Sequence, residues 1–421
     1  MKKIYITALA VPLWIAITIM PIDNAAAQDE EFLDKLQYDS ILYFANEANP
    51  ANGFVKDSSR PGAPCSVAAV GFSLTAMCIG EARGWIDRDK AYERVIRTLK
   101  AFRDEVPNEH GFFYHFLDMR TGSRTWSSEI SSIDTALFLA GALFAGEYFK
   151  GTEAEEIARE LYEQVDWPWM MNGKSTMCMG WKPESGFLWY YWDSYNEAMI
   201  LYALAIGSPT HPIPRDAWFA WKRPVDWYKE YELVYCYTGS LFTYQYAHAW
   251  IDFRDLYDGN INYFENSINA TKANREFCID SASEYKTYGK DSWGITASLG
   301  PDGYRGYGAK PGEGFNDGTI APCGMAGSIV FDPRASLDGM KYLYDNHGGF
   351  LYGKYGFKDA FNLDKNWWAE EHLAIDVGIT LVMIENYRSG LIWEKFMKLE
   401  AIQRWIDMCL TRKVPADIET R

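Results

Sequence analysis

The sequence predicts an all-α protein: one large domain of about a dozen helices whose long loops gather on one face. Three observations carry that reading. Apolar residues recur at helical spacing in segment after segment, strand-like stretches are few and short, and long Gly-, Pro- and Ser-rich loops separate alternate helices. No linker or composition break divides the chain. No motif recurs at a fixed period, which sets aside an array of helical repeats.

The chain begins with Lys2 and Lys3, then an apolar run from Ile4 to Met20, then Ala25-Ala26-Ala27 ahead of the acidic Asp29-Glu30-Glu31. A basic start, a short apolar stretch and a small-residue site predict a cleaved secretory leader over residues 1–27. The remainder, 28–421, is expected to be one exported domain, periplasmic or secreted, with no membrane anchor.

Residues 29–48 read as the first helix, ending at Asn49-Pro50. After the loop NGFVKDSSRPGAPCS, Ser66 caps a second helix, VAAVGFSLTAMCIGEARG, which Gly84 closes. A third runs from about Arg88 to Val106, with Ala91, Val95, Ile96, Leu99 and Phe102 on one face. GFFYHFLDMRTGSR predicts a short hairpin around Thr-Gly-Ser. Helices at about 129–149 and 152–165 precede a loop from Gly173 to Gly186. Next comes WYYWDSYNEAMILYALAIGSPTHPIP, an aromatic run leading into a helix over Ala198–Ile206 that Gly207 and Pro209 end. Residues 212–257, rich in Trp and Tyr, carry no clear period. A long helix is expected over 259–285, then a Gly-rich loop. Helices near 322–330, 333–345, 369–386 and 391–410 complete the chain.

The formal charge of −16 argues against a nucleic-acid partner and against adhesion to anionic lipid. Seven cysteines form no CxxC pair and no even disulfide framework, so they read as small buried hydrophobes. Aromatic residues make up 16% of the chain. Large aromatic cores would account for that number, but so would platforms for sugar rings.

Three acids accompany apolar helices, Glu197 at the start of one and Asp134 and Asp376 interrupting two others. Glu197 follows the aromatic run. Ser194-x-x-Glu197 reads as a capping box, with Glu197 reaching back to a free N–H. The alternative is a carboxyl poorly solvated among rings, whose pKa rises until it holds a proton near neutral pH, as a catalytic acid must. Asp134, in SSEISSIDTALFLAGALF, is either a helix cap or a functional acid. Asp376, in HLAIDVGITLVMIENY, is either half of a structural ion pair or a functional acid, because a charge in such a segment needs a partner. Glu129 reads as a first-turn acid favoured by the helix dipole.

The six histidines show no HExxH or HxxxH pairing, so neither a metal nor a cofactor is expected. No GxSxG elbow, P-loop or dinucleotide fingerprint occurs. Separated acids, aromatic loops and an exported chain suggest glycoside hydrolysis, which needs one protonated carboxyl and one ionised carboxylate.

Six motifs in order sharpen this: YNEAMILYALAIGSPTHPIP, SLFTYQYAHAWIDFRD, WGITASLGPDGYRGYGA, DGTIAPCGMAGSIVFDP, YGKYGFKDAFN and IDVGITLVMIENYRSGLIW. Together they resemble the glycoamylase-like domain of glycoside hydrolase family 144, the bacterial β-1,2-glucanases. The resemblance covers nearly all of residues 28–421. It implies an (α/α)6 barrel with a substrate cleft on one face, and hydrolysis of a neutral β-1,2-glucan with inversion, by endo cleavage or by release of sophorose. It also implies that Glu197 is the general acid and Asp376 the base, acting directly or through water, with Asp134 and Glu129 close to the scissile sugar. Tyr244, His248 and Asp317 would line the cleft, joined by Trp192 and Tyr195 of the aromatic run. Val377 and Ile379 depart from the family pattern ID-Gln-Gly-Pro, which leaves Asp376 in place but alters its surroundings.

Two rival readings remain at this level. A polysaccharide lyase would use Tyr244, His248 and Arg254 on an acidic polymer. A non-catalytic glycan-binding protein would explain the aromatics but not the isolated acids.

Overall fold

The computed structural model describes residues 24–312 and 314–412. Residues 1–23 of the expected leader lie outside the described residues. The first seven helices are α1 (Asn24–Asn46), α2 (Val67–Ala82), α3 (Arg88–Asp104), α4 (Ser132–Tyr148), α5 (Glu153–Glu163), α6 (Trp167–Met171) and α7 (Met199–Gly207). The rest are α8 (Asp216–Ala220), α9 (Tyr263–Asp280), α10 (Pro322–Ala326), α11 (Pro333–Leu351), α12 (Ala374–Arg388), α13 (Leu391–Phe396) and α14 (Glu400–Cys409).

The helices are of two kinds. In α2, α4, α7 and α12 nearly every side chain is buried. A helix that is apolar all round has to sit inside the protein. By contrast α3, α5 and α14 bury only one stripe, such as Ala154, Ile157, Ala158, Leu161 and Tyr162 of α5. The inner helices close a ring: α2 packs on α4, α4 on α7, and α12 back on α2. Between α7 and α12 the ring is completed by two 3₁₀ turns, Leu241–Tyr244 and Tyr246–Ala249, and by the short α10. Outside it, α1 lies against α12 and α2, α3 against α2, α5 against α4, α14 against α7, α9 against the first 3₁₀ turn and α11 against α10. An inner and an outer layer of paired helices make an (α/α)6 barrel. Among the described residues the strands form only two- and three-stranded ribbons.

The inner ring departs from a helix at residues 241–249 for a local reason. Gln245 N–H bonds to Phe242 C=O, an i to i−3 contact, and Thr243 Oγ1 donates back to Ser240 C=O at 2.7 Å. The Gln245 side chain then donates to Gly324 C=O at 2.8 Å and Ser328 Oγ at 2.9 Å. These side-chain bonds fix tight turns where a regular helix would carry Gln245 elsewhere. The same region holds α8 and the antiparallel ribbon Val225–Tyr228 with Tyr231–Val234.

Two further departures are modest. Phe112–Phe113 pairs with Asn108–Glu109 and Phe116–Leu117 with Cys65–Ser66, while the expected hairpin around Thr-Gly-Ser is shorter than the stretch suggested. It consists of the Leu117–Arg124 bridge, flanked by Thr125 N–H on Phe116 C=O at 3.0 Å and Asp118 N–H on Ser123 C=O at 2.7 Å. The last expected helix breaks into α13 and α14. That break sets the apolar face of α14 on α7, where a methyl added to Gly207 would meet Ala401 C=O at 2.1 Å. All seven cysteines are buried and free. Among the described residues no helix is long and apolar enough to cross a membrane.

The tightest seam in the ring joins α2 to α4. A methyl built on Gly141 would lie 2.0 Å from Gly71 C=O, and one on Gly71 would lie 2.2 Å from Leu137 C=O. Backbone cannot yield there as a flexible side chain would. We expect Gly141→Ala to lower the unfolding midpoint, with a loss of about 1–3 kcal/mol measured by thermal or urea denaturation.

Candidate active site

The first turns of α2, α4 and α12 and the residue just ahead of α7 meet at one end of the barrel. Ala68, Ile133, Asp134, Ile375 and Glu197 all border the same cavity there, about 590 Å³ in volume. That size suits an oligosaccharide segment. Loops add Asp57, Arg60, His115, Trp126, Tyr304 and Glu371 to its walls.

Asp134 is placed by the cap of α4. Ser131 is the N-cap, so Asp134 is not the cap itself. Ser131 Oγ accepts from Asp134 N–H at 3.3 Å and donates its hydroxyl to Asp134 Oδ2 at 2.5 Å. This holds the carboxylate in the first turn of α4, where the helix dipole favours a negative charge.

Glu197 stands on the turn before α7. The capping box is not formed: Ala198 occupies the N-cap position, Ser194 Oγ has no hydrogen-bond partner, and Asn196 Oδ1 caps Ala198 N–H at 2.9 Å instead. The Ser194 backbone is engaged as a bridge to Lys222. Relieved of a capping role, the Glu197 carboxyl shares the cavity with Ala68, Leu137, Phe242 and Tyr246. Burial pushes its pKa up to about 7, with the charge of Asp134 adding to the rise against the pull of its own backbone N–H. Near neutral pH about half of it carries a proton.

His115 links two carboxylates. Its Nδ1 lies 3.0 Å from Glu129 Oε1 and its Nε2 lies 3.5 Å from Asp134 Oδ1. Burial alone would lower the imidazole pKa, but Asp134, the bond to Glu129 and the charge of Asp57 outweigh it and push it up to about 9. The bond to His115 in turn pulls Glu129 down to about 2, against burial. At neutral pH this is therefore an imidazolium between two carboxylates. Asp57 is pushed up to about 6 by burial, in spite of His115, with Asp134, Asp376 and Glu371 adding to the rise. Glu371 is paired with Arg60 at the rim, Nε to Oε1 at 2.9 Å.

Asp376 is set apart from this group. It lies in the first turn of α12 but behind Ile375 and Tyr246, which border the cavity while Asp376 does not. Its neighbours are Asp359, Cys323 and Tyr246, with no basic residue among them, and its Oδ2 is without a hydrogen-bond partner. An ion pair is therefore not what holds it. Burial pushes Asp359 well above the carboxylate range, and the charge of Asp376 pushes it further. Burial also raises Asp376, while contacts with Asp359, Cys323 and Tyr246 hold it back. Both carboxyls are raised, Asp359 the further of the two. Leu299 N–H fixes Asp359 Oδ2 at 2.6 Å.

None of the five other expected cleft residues borders this cavity. Trp192 is buried, its indole N–H donating to Ser132 Oγ at 3.0 Å at the start of α4. Tyr195 is stacked on Tyr263 at 5.7 Å in the core. Tyr244 is buried beside it, its hydroxyl accepting from Cys236 N–H at 3.2 Å. His248 is a core histidine among Phe253, Phe264 and Phe331, bonded to Ser267, and burial drives its pKa down to about 3. Asp317 closes its own loop, accepting from the Thr319 hydroxyl at 2.6 Å and from Asn362 at 3.3 Å. The aromatic run splits: Trp189 is 94% exposed, whereas Trp192 and Tyr195 are buried. Phe242 and Tyr246 share the cavity with Glu197, and Tyr195, though buried, lies close enough for its hydroxyl to feel the Glu197 charge.

Sequence reasoning missed Asp57, His115, Trp126, Tyr246 and Glu371. One signal was available, a titratable His115 enclosed in the aromatic stretch Phe112–Phe116. Among the described residues no group of three or more His, Cys, Asp and Glu is arranged to hold a metal ion.

Comparison with known proteins bears on the family and the fold. The family described as "Glycoamylase: Putative glucoamylase" matches residues 189–400. Over 418 residues the chain is 30% identical to an exo β-1,2-glucooligosaccharide sophorohydrolase (non-reducing end) of Parabacteroides distasonis, covering 90% of this chain. The chain spans 57% of that relative's length. Among solved structures, a "putative glucoamylase" from Bacteroides uniformis superposes with a TM-score of 0.86 at 32% identity, covering 91% of this chain and 98% of its own. An endo-β-1,2-glucanase from Chitinophaga pinensis, in complex with sophorotriose and glucose, superposes with a TM-score of 0.85 at 29% identity, with coverage of 91% and 98%.

The raised pKa of His115 has a definite sign for stability. Its folded value of about 9 exceeds the ordinary 6.5, so its contribution is complete below pH 6.5 and is lost as pH rises through 9. His115→Gln lacks that contribution. The gap in melting temperature between the native protein and this variant should be widest near about pH 6 and should narrow toward about pH 9.5, as calorimetry across that range would read.

Proposed function

This chain belongs to glycoside hydrolase family 144, and from that premise we propose that it hydrolyses β-1,2-linked glucose chains by acid–base catalysis in the cavity at the helix N-termini. The observation that carries the reading is Glu197, a carboxyl raised to about 7 in the same cavity as Asp134 and His115, whose bond holds Glu129 down at about 2. Glycoside hydrolysis needs that contrast of environments. Linkage comes from the relatives, whose names specify β-1,2-glucooligosaccharide and β-1,2-glucan.

In this reading Glu197 protonates the departing glycosidic oxygen. The carboxylate on the opposite side then takes a proton from the attacking water, with inversion at the anomeric carbon. Asp134 suits the base role: it borders the cavity, it is aligned by Ser131, and the imidazolium of His115 lies 3.5 Å away. One observation favours a second base, Asp376. Its Oδ2 is a buried acceptor without a donor, one layer behind Tyr246, and a proton passed across that hydroxyl or a water would reach it. A leader over residues 1–27 would deliver the enzyme to the periplasm, where neutral glucan fragments are its substrate.

The lyase reading loses its groups. Tyr244 and His248 are core residues, and Arg254 is spent on Asp252 at 2.6 Å. A purely glycan-binding protein has no use for a carboxyl held protonated beside ionised ones.

Glu197→Gln should cut turnover of linear β-1,2-glucan by about 10²–10⁴-fold while leaving binding and melting temperature unchanged. Unchanged turnover would remove Glu197 from the acid role. Product analysis of the active protein separates exo action, giving sophorose alone from the earliest times, from endo action, giving a ladder. Asp134→Asn and Asp376→Asn, assayed side by side, decide the base: the substitution that costs more than about a hundredfold in kcat with KM little changed identifies it.

A further inference from the structure

We propose that Trp126 is a specificity-determining residue: a sugar-stacking platform beside the catalytic acids, presented by a strained turn that Arg124 and Glu184 clamp. The inference rests on the glucan-hydrolase reading and assigns one of its substrate contacts.

Trp126 and Ser127 both occupy the left-handed backbone region, with φ of 55° and 50°. Neither is glycine, and a bulky indole residue rarely adopts that conformation unless its surroundings enforce it. The side chain is equally ill at ease, since Trp126 is 66% exposed. A large apolar ring held in water on a strained turn makes sense when something is meant to cover it.

The enforcement is visible. Arg124 Nε donates to Ser128 C=O at 2.5 Å and its Nη2 to Ser127 C=O at 2.9 Å, so one guanidinium gathers the two carbonyls that follow Trp126. The same guanidinium is gripped by Glu184, at 2.5 Å to Oε1 and 3.1 Å to Oε2. Glu184 lies between the strands Gly180–Lys182 and Gly186–Phe187, and so anchors the turn to a separate ribbon. Ser128 N–H closes the turn on Thr125 C=O at 3.0 Å.

The clamp aims the ring at the catalytic groups. Trp126 borders the cavity. Its ring meets Phe116 at 5.0 Å, and Phe116 stacks on His115 at 3.9 Å with the planes 15° apart. His115 in turn faces Glu129 and Asp134. A β-glucose ring carries its C–H bonds on its faces and its hydroxyls on its edge, so an indole covers the face while acids and amides bond the edge. The surrounding surplus of carboxylates would repel a uronate but not a neutral sugar.

The test uses the full chain in the Glu197→Gln background, with a short linear β-1,2-glucooligosaccharide titrated by calorimetry. Adding Trp126→Ala should weaken binding about tenfold or more, and Trp126→Phe should restore most of the loss. Glu184→Ala, which removes the clamp at a distance from the sugar, should weaken binding in the same direction without lowering the melting temperature. Equal affinity with and without the Trp126 ring overturns the proposal, and an unaffected Glu184→Ala variant overturns the clamp. If the parent binds another glucan and no β-1,2 chain, the linkage reading fails, and the same Trp126 substitutions on that glucan still decide the platform.

Discussion

Loss of water around the Glu197 carboxyl is the constraint on which the rest of the site depends. A carboxylate in water would give up its proton far below neutral pH and could not serve a leaving group there. The barrel prevents this by walling the cavity with Ala68, Leu137, Phe242 and Tyr246 and by setting Asp134 nearby, so that burial and like charge act in one direction. Asp134 has neighbours that Glu197 lacks: a cap hydroxyl, the first turn of a long helix and the His115 ring. The two acids thus differ through their neighbours rather than through their chemistry.

The architecture supplies those neighbours by a single device. Helices that are apolar on every side must stand inside the ring, and they bring their N-termini to one mouth. Polar side chains are admitted there only where the apolar runs begin, as with Asp134, Asp376 and the residue ahead of α7. The loops at the mouth then complete the set, His115 from the ribbon before α4 and Asp57 from the loop before α2. The cost is an excess of negative charge, offset by one imidazolium in the middle and by Arg60 at the edge. The buried pair Asp359 and Asp376 makes no ion pair among the described residues, and burial raises both carboxyls.

How much of this could be read from the sequence follows from what is local. The inner helices α2, α4, α7 and α12 were legible because an unbroken apolar run with an acid or serine at its start has few other homes. The ring segment at 241–249 was not, because its 3₁₀ geometry is set by Gln245 reaching Gly324 and Ser328, far along the chain. Glu197 and Asp134 stood out as acids at the edges of such runs. The aromatic run before Glu197 misled, because its rings part company at the turn: Trp189 goes to solvent, Trp192 to Ser132 at the start of α4, and Tyr195 to the core. His248 looked like a site residue and is a neutral core histidine, while His115 looked like part of a hairpin and carries the charge of the site. The partner of Asp376 is another carboxyl, a pairing that no local pattern announces.

The measurement that bears most directly on this account is the pH dependence of kcat/KM on linear β-1,2-glucan. An acid of this kind gives a falling alkaline limb centred near pH 7, the value to which burial raises Glu197. A limb near pH 4.5, the ordinary value of a glutamate, or a rate that stays level past about pH 9, would contradict it.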